Sequence, residues 1–150
     1  MASQILGIIA LLFSGVLAGA ELMVRWGIQP ALTALDDHSH LEARQSLVRR
    51  LRVLVPAVMV PTLLLSIAVL IVGGEADGLA FRVAAVVVFV AYAVIAFTGT
   101  VPINIQVIDW DPALPPADWK RTLSRWERID VFRSSAALLG FVFLAIDLGV

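Results

Sequence analysis

Cysteine is absent from this 150-residue chain, so disulfides, thiolate-metal sites and thiol redox chemistry are excluded. Charge is scarce: Asp, Glu, Lys and Arg make up 15% of the residues, where a soluble domain carries about 25%. A net charge of −1 leaves no basic footprint for nucleic acid. No Gly-rich phosphate loop, G-x-S-x-G elbow or H-E-x-x-H pair occurs. What fills the chain instead is apolar, 60% of it, with a mean hydropathy of +0.93. That is more than one soluble core can bury, and the chain reads as an integral membrane protein.

Charge-free stretches divide it. Residues 1–20, 53–74 and 83–108 contain none, and each is long enough for the roughly 20 residues that cross a bilayer core of about 30 Å. Residues 134–146 are uncharged but short, so a fourth span needs about 131–150, with Arg133 and Asp147 near its two ends. The expected fold is all-α: a single transmembrane four-helix bundle with spans at about 3–25, 53–73, 82–103 and 130–149.

The basic residues orient it. Arg25, Arg44, Arg49, Arg50 and Arg52 lie in or beside loop 1; Lys120, Arg121, Arg125, Arg128 and Arg133 lie in or beside loop 3; only Arg82 falls elsewhere. By the positive-inside rule loops 1 and 3 are cytoplasmic and both termini face the outer side. Ala18-Gly19-Ala20 also resembles a leader-cleavage site, but Met-Ala-Ser-Gln supplies no positive n-region, so residues 1–20 are expected to stay as a span. Gly15 and Gly19, with Ala10, Ser14 and Ala18, offer small faces for helix packing, and Gly15 and Gly19 are the candidate contact for a homo-oligomer.

Loop 1 is expected to include a short amphipathic helix along the membrane surface. Pro56 and Pro61 are expected to kink span 2, Gly73-Gly74-Glu75-Ala76-Asp77-Gly78 to form a tight turn, and Gly99 and Pro102 to interrupt span 3. Residues 118–128 read as helix running into span 4.

The informative pattern is one of depth. Glu21 and Arg25 close span 1, Asn104 follows the end of span 3, and Trp126, Asp130 and Arg133 open span 4, all within a turn or two of one boundary. Ser14, Ala18, Glu21 and Arg25 share one helical stripe. So do Trp126, Asp130, Arg133, Ala137, Gly140, Leu144 and Asp147, and on span 3 Ala93, Phe97, Thr100 and Asn104. Ionised groups at this depth are costly alone, so pairs are expected: Glu21 with Arg25 and Asp130 with Arg133, or crossed between helices. These pairs either stitch the bundle or line a polar pocket for a flat, lipophilic, oxygen-bearing molecule. Other candidates are thinner. His38 and His40 beside Asp36 and Asp37 are weak metal ligands; Trp110 and Trp119 suit an interfacial belt. Arg49, Arg50 and Arg52 set topology and can touch anionic lipid heads. Tyr92 and Asp147 are single candidates for a proton path.

Pro102-Ile103-Asn104 and Trp126…Asp130…Arg133, together with residues 18–32, resemble the anthrone-oxygenase-like family of small four-span membrane proteins. The elements are a P-x-N closing the third helix and a W-x3-[N/H]-x2-R opening the fourth. The resemblance implies a membrane-embedded oxidoreductase, an oxygenase that uses molecular oxygen as co-substrate on a lipophilic aromatic or quinone-like molecule. Asp130 or Glu21 would be the base, Arg133 and Arg25 anion stabilisers, Asn104 an orienting donor, Trp126 a ring wall, and Thr100 a further lining residue. The chain departs from the pattern at Asp130, where the element carries Asn or His. Whether a metal or another cofactor takes part is left open by the sequence, and the expected setting is the plasma membrane and its lipids. The alternative is a non-catalytic membrane protein that binds lipid or a small molecule, or an accessory subunit of a larger complex.

Overall fold

Four prolines interrupt the apolar stretches, and how the chain accommodates them shapes the bundle. The computed structural model describes residues 2–74 and 78–149. Four helices span Ser3–Thr33 (α1), Asp37–Val72 (α2), Leu79–Ile108 (α3) and Trp119–Gly149 (α4), all long and apolar enough to cross a membrane. The expected turn at 73–78 includes residues 75–77, which lie outside the described residues. Helix α2 continues through Pro56 and Pro61. In α1 and α3 the helix widens instead into π-turns, at Met23–Ile28 and Ala96–Thr100. Each is followed within two residues by a proline, Pro30 and Pro102. A proline ring collides with the carbonyl four residues earlier; those carbonyls belong to Trp26 and Thr98, both inside the widened turns. The π-turn moves each aside, so both helices pass their proline without ending.

The helices form an antiparallel ring in which α1 and α3 each pack against α2 and α4. Small residues set the approach. A Cβ on Gly140 would overlap the Phe89 ring, and one on Gly99 would come within 2.7 Å of Ile129 Cγ2. A Cβ on Gly15 would sit 3.2 Å from Phe141 of the same chain, whereas nothing lies within 4 Å of Gly19.

Each helix is longer than a bilayer needs. The 31 residues of α1 rise about 46 Å and the 36 of α2 about 54 Å, against a hydrocarbon core of about 30 Å. The excess falls largely at the end carrying the 34–36 and 109–118 connections and most of the basic residues, termed the basic end. Ala10, Leu17, Met59, Val69, Ala85, Phe89, Tyr92, Ala136, Ala137 and Leu144 form the main core. Val24, Leu41, Ile103, Val107, Trp119, Leu123 and Trp126 form a second, at the basic end. Outside runs a belt of exposed apolar side chains, among them Ile8, Val16 and Trp26, Val53 and Leu64, Val87 and Phe97, and Phe132 and Leu139. Soluble proteins rarely expose so continuous an apolar surface.

The second core replaces the surface-lying helix expected in loop 1. Nothing between Asp37 and Val53 breaks a helix, and this stretch buries His40, Leu41, Arg44, Gln45 and Val48. It stands upright as the first turns of α2. Asp36 caps it, accepting the Ser39 backbone N–H at 3.0 Å, which holds its carboxyl below the usual range. Gln45 Nε2 donates to the carbonyls of Val107 (2.9 Å) and Trp110 (2.8 Å), satisfying acceptors that the end of α3 leaves open. Trp119, expected in an interfacial belt, lies in this core, edge-on to His40 with centroids 5.7 Å apart. Trp110 packs partly against it, and Trp26 is the tryptophan left outside, 69% exposed.

Candidate functional site

Where the two cores meet, three helices each turn a polar side chain inward. Glu21 on α1 is 1% exposed; Tyr92 on α3 and Asp130 and Arg133 on α4 are buried with it. Tyr92 Oη donates to Glu21 Oε1 at 2.7 Å. Arg133 Nη2 lies 2.9 Å from Glu21 Oε2, an ion pair rather than an aligned hydrogen bond. Arg133 Nε and Nη2 donate to Asp130 Oδ1 at 3.1 and 2.6 Å. One guanidinium is therefore held between two carboxyl groups, the arrangement that makes buried charge tolerable. Aromatic faces complete its surroundings, Tyr92 at 5.7 Å and Trp126 at 5.8 Å from ring centroid to Arg133 Cζ.

Of the expected pairs, Asp130–Arg133 forms within α4 and Glu21–Arg133 forms between helices. Glu21–Arg25 does not. Arg25 lies in the π-turn, where the i,i+4 spacing of an α-helix no longer holds, and its Nη1 donates to Ser134 Oγ (3.3 Å) and Ser135 Oγ (3.4 Å) across to α4. The α4 stripe faces inward as read, from Trp126 through Leu144. The α3 stripe is displaced. Arg82, Ala85, Phe89, Tyr92, Ala96, Thr100, Ile103 and Val107 are buried, and Phe97 is 56% exposed. The inward face is set by Tyr92, the neighbour of Ala93, whose buried hydroxyl meets Glu21.

Beside this network, between the end of α1 and the start of α4, lies a cavity of about 320 Å³ lined by Arg25, Gln29, Pro30, Thr33, Glu127, Asp130 and Val131. That volume is at the lower end of small-molecule sites, about 300–1,000 Å³. Arg25 and Asp130 face it. Asp130 Oδ2 accepts no hydrogen bond among the described residues, since Arg133 engages only Oδ1. Glu21 is sealed behind, with Arg133 and Tyr92 on its two oxygens. Trp126 is buried next to Arg133, but neither it, Thr100 nor Asn104 lines the cavity. Thr100 Oγ1 donates back to Ala96 O at 3.2 Å; Asn104 is half-buried with Oδ1 unpartnered. The structure gives new places to two residues: Tyr92, read as a single candidate for a proton path, and Arg44, read as part of a basic loop. Burial of Arg44 among Leu41, Gln45 and Val48 was legible as an inward face had the helix been carried back to Asp37.

The histidines do not converge. His38 is exposed, 3.8 Å from Glu42, and His40 points into the second core. Residues two apart on a helix do not share a face, and among the described residues no three His, Asp or Glu side chains gather as metal ligands. At the opposite end of the bundle Arg82 Nε donates to Asp147 Oδ1 at 2.9 Å, a second mostly buried pair between α3 and α4.

Four long apolar helices, an exposed apolar belt and an internal acid–guanidinium–phenol network define a multi-pass helical membrane protein with a polar site inside it. Residues 44–143 match the family described as anthrone oxygenase, and the chain belongs to that family. No curated protein and no solved structure matches it. The matched region contains Arg44, Tyr92, Trp126, Asp130 and Arg133; Glu21 and Arg25 precede it.

Proposed function

We propose that the protein is an oxygen-dependent oxidoreductase of the plasma membrane acting on a lipophilic aromatic with an acidic C–H, of which an anthrone is the model. The observation that carries this reading is the cavity beside the buried network, with Asp130 and Arg25 on its wall. A carboxylate with one oxygen fixed by Arg133 and the other unengaged is a positioned base. It takes one proton from the ring methylene. The electron pair moves onto the ring oxygen, where the Arg25 guanidinium balances the developing charge. The enolate reduces O₂, carbon–oxygen bond formation gives a hydroperoxide at that carbon, and loss of water leaves the ketone: CH₂ plus O₂ becomes C=O plus H₂O. Glu21 and Tyr92 hold Arg133, and through it Asp130, in place. In this reading the termini face outward and the basic end faces the cytoplasm, and a lipophilic substrate, concentrated in the lipid, reaches the site from the membrane.

The test is oxygen uptake by purified protein given a model anthrone, compared with Asp130→Asn, Arg25→Gln and a chelator-treated sample. Uptake above the spontaneous rate that vanishes in Asp130→Asn supports the reading, and loss on chelation adds a metal to it. No uptake above the spontaneous rate rejects it. The second reading, a non-catalytic bundle stitched by the same pairs, is favoured by the closure of the Glu21–Arg133–Asp130 network. Under it, Asp130→Asn loses thermal stability and no activity is there to lose.

A further inference from the structure

Arg44 is a buried guanidinium that no carboxylate of the described residues touches, although Glu127 and Asp130 act on it through space. It is 2% exposed. Its one hydrogen bond runs from Nη1 to the neutral carboxamide oxygen of Gln29 at 3.1 Å, and its Nε–H has no acceptor. The guanidinium lies 4.4 Å from the centroid of the Trp126 ring. The indole N–H of Trp126, also buried, has no acceptor either. Two buried donors on stacked groups are thus both open, in a place where an unmet donor is expensive. Gln29 lines the cavity, so the oxygen that occupies Arg44 stands at the cavity wall. Arg25, on that wall, has only the serine hydroxyls as hydrogen-bond acceptors among the described residues.

We propose that the cavity binds a flat aromatic monoanion whose ionised oxygen, phenolate or carboxylate, displaces the Gln29 side chain from the cavity wall, replaces its Oε1 on Arg44 and takes the Trp126 N–H, behind that wall, as a second donor. Glu127 and Asp130 line the same cavity and oppose a second negative charge. They fix the sense of binding: ionised oxygen toward Arg44, reacting carbon toward Asp130. This rests on the oxygenase reading for its site and deepens it by naming the ionised substituent of the substrate.

Calorimetric titration of the protein in lipid nanodiscs tests it with three probes. These are 2-naphthoate, an ionised dinitronaphthol and the neutral 2-naphthamide. Either anion is expected to bind about tenfold or more tightly than the amide, the worth of a charge-assisted hydrogen bond, and the tighter one identifies the ionised group. Arg44→Gln should erase the preference and Arg44→Lys restore part of it. Trp126→Phe, which keeps a ring but not the N–H, should weaken the anions several-fold and spare the amide. Equal binding of anions and amide by the native protein overturns the proposal, as does a preference that survives Arg44→Gln. Should Arg44→Gln not fold, the native preference and Trp126→Phe decide. Oxygen uptake read in parallel separates the two inferences. Asp130-dependent uptake without anion preference sinks only the subsite; anion preference without uptake sinks only the oxygenase.

Discussion

Tyr92 is the one tyrosine of the chain, and its buried hydroxyl is spent on Glu21 at 2.7 Å. Tyr92→Phe keeps the ring and removes only that bond. It should destabilise the protein by about 1.5–3 kcal/mol, the value of a hydrogen bond to a charged group, measured by thermal unfolding in detergent. Arg133→Leu is a different order of change. It strands two carboxyl groups that now share one guanidinium, and breaking a buried pair costs about 3–5 kcal/mol. A Tyr92→Phe loss as large as that of Arg133→Leu would show that the phenol, not the guanidinium, anchors the network.

At the scale of elements, α4 is the central packing partner, and its contact with α3 depends on Gly140 lying against Phe89. Gly140→Ala drives a methyl group into the ring, and overpacking of this kind costs about 1–3 kcal/mol. Adding Phe89→Leu makes room and should recover part of the loss, read as the melting temperatures of the single and double variants. No recovery would place the strain elsewhere. The two π-turns belong to this scale as well. Each follows a run of α-helix and precedes a proline; the one in α1 carries Arg25 to the cavity wall, while Thr100 in the other stays buried on Ala96 O.

For the whole molecule the outcome to test is orientation. Because the chain has no cysteine, single cysteines report cleanly. Ser3→Cys should react with an impermeant maleimide on intact cells, and Leu114→Cys, in the 81% exposed position of the 109–118 connection, only after lysis. The reverse pattern would invert the bundle and place the basic end outside, against the distribution of Lys and Arg.

Much of this was written in the order of residues. Charge-free runs of bilayer length required four helices, and short links between them left an antiparallel ring as the simple solution. The stripe from Trp126 to Leu144 faces inward because a polar face on an apolar helix has nowhere else to go. Helix length was not legible in the same way: hydropathy marks where lipid ends, not where helix ends, so the upright start of α2 and its second core escaped notice. Nor was pairing. Glu21 had a guanidinium four residues away in the chain and takes another from α4, because a π-turn changes the angle between Glu21 and Arg25 while packing brings Arg133 within 2.9 Å. Composition and periodicity determined that this chain is a membrane bundle with charge inside it. Only the tertiary structure decided which charges meet and which, like Arg44, go without a contact ion pair, since that depends on distances between helices far apart in the chain.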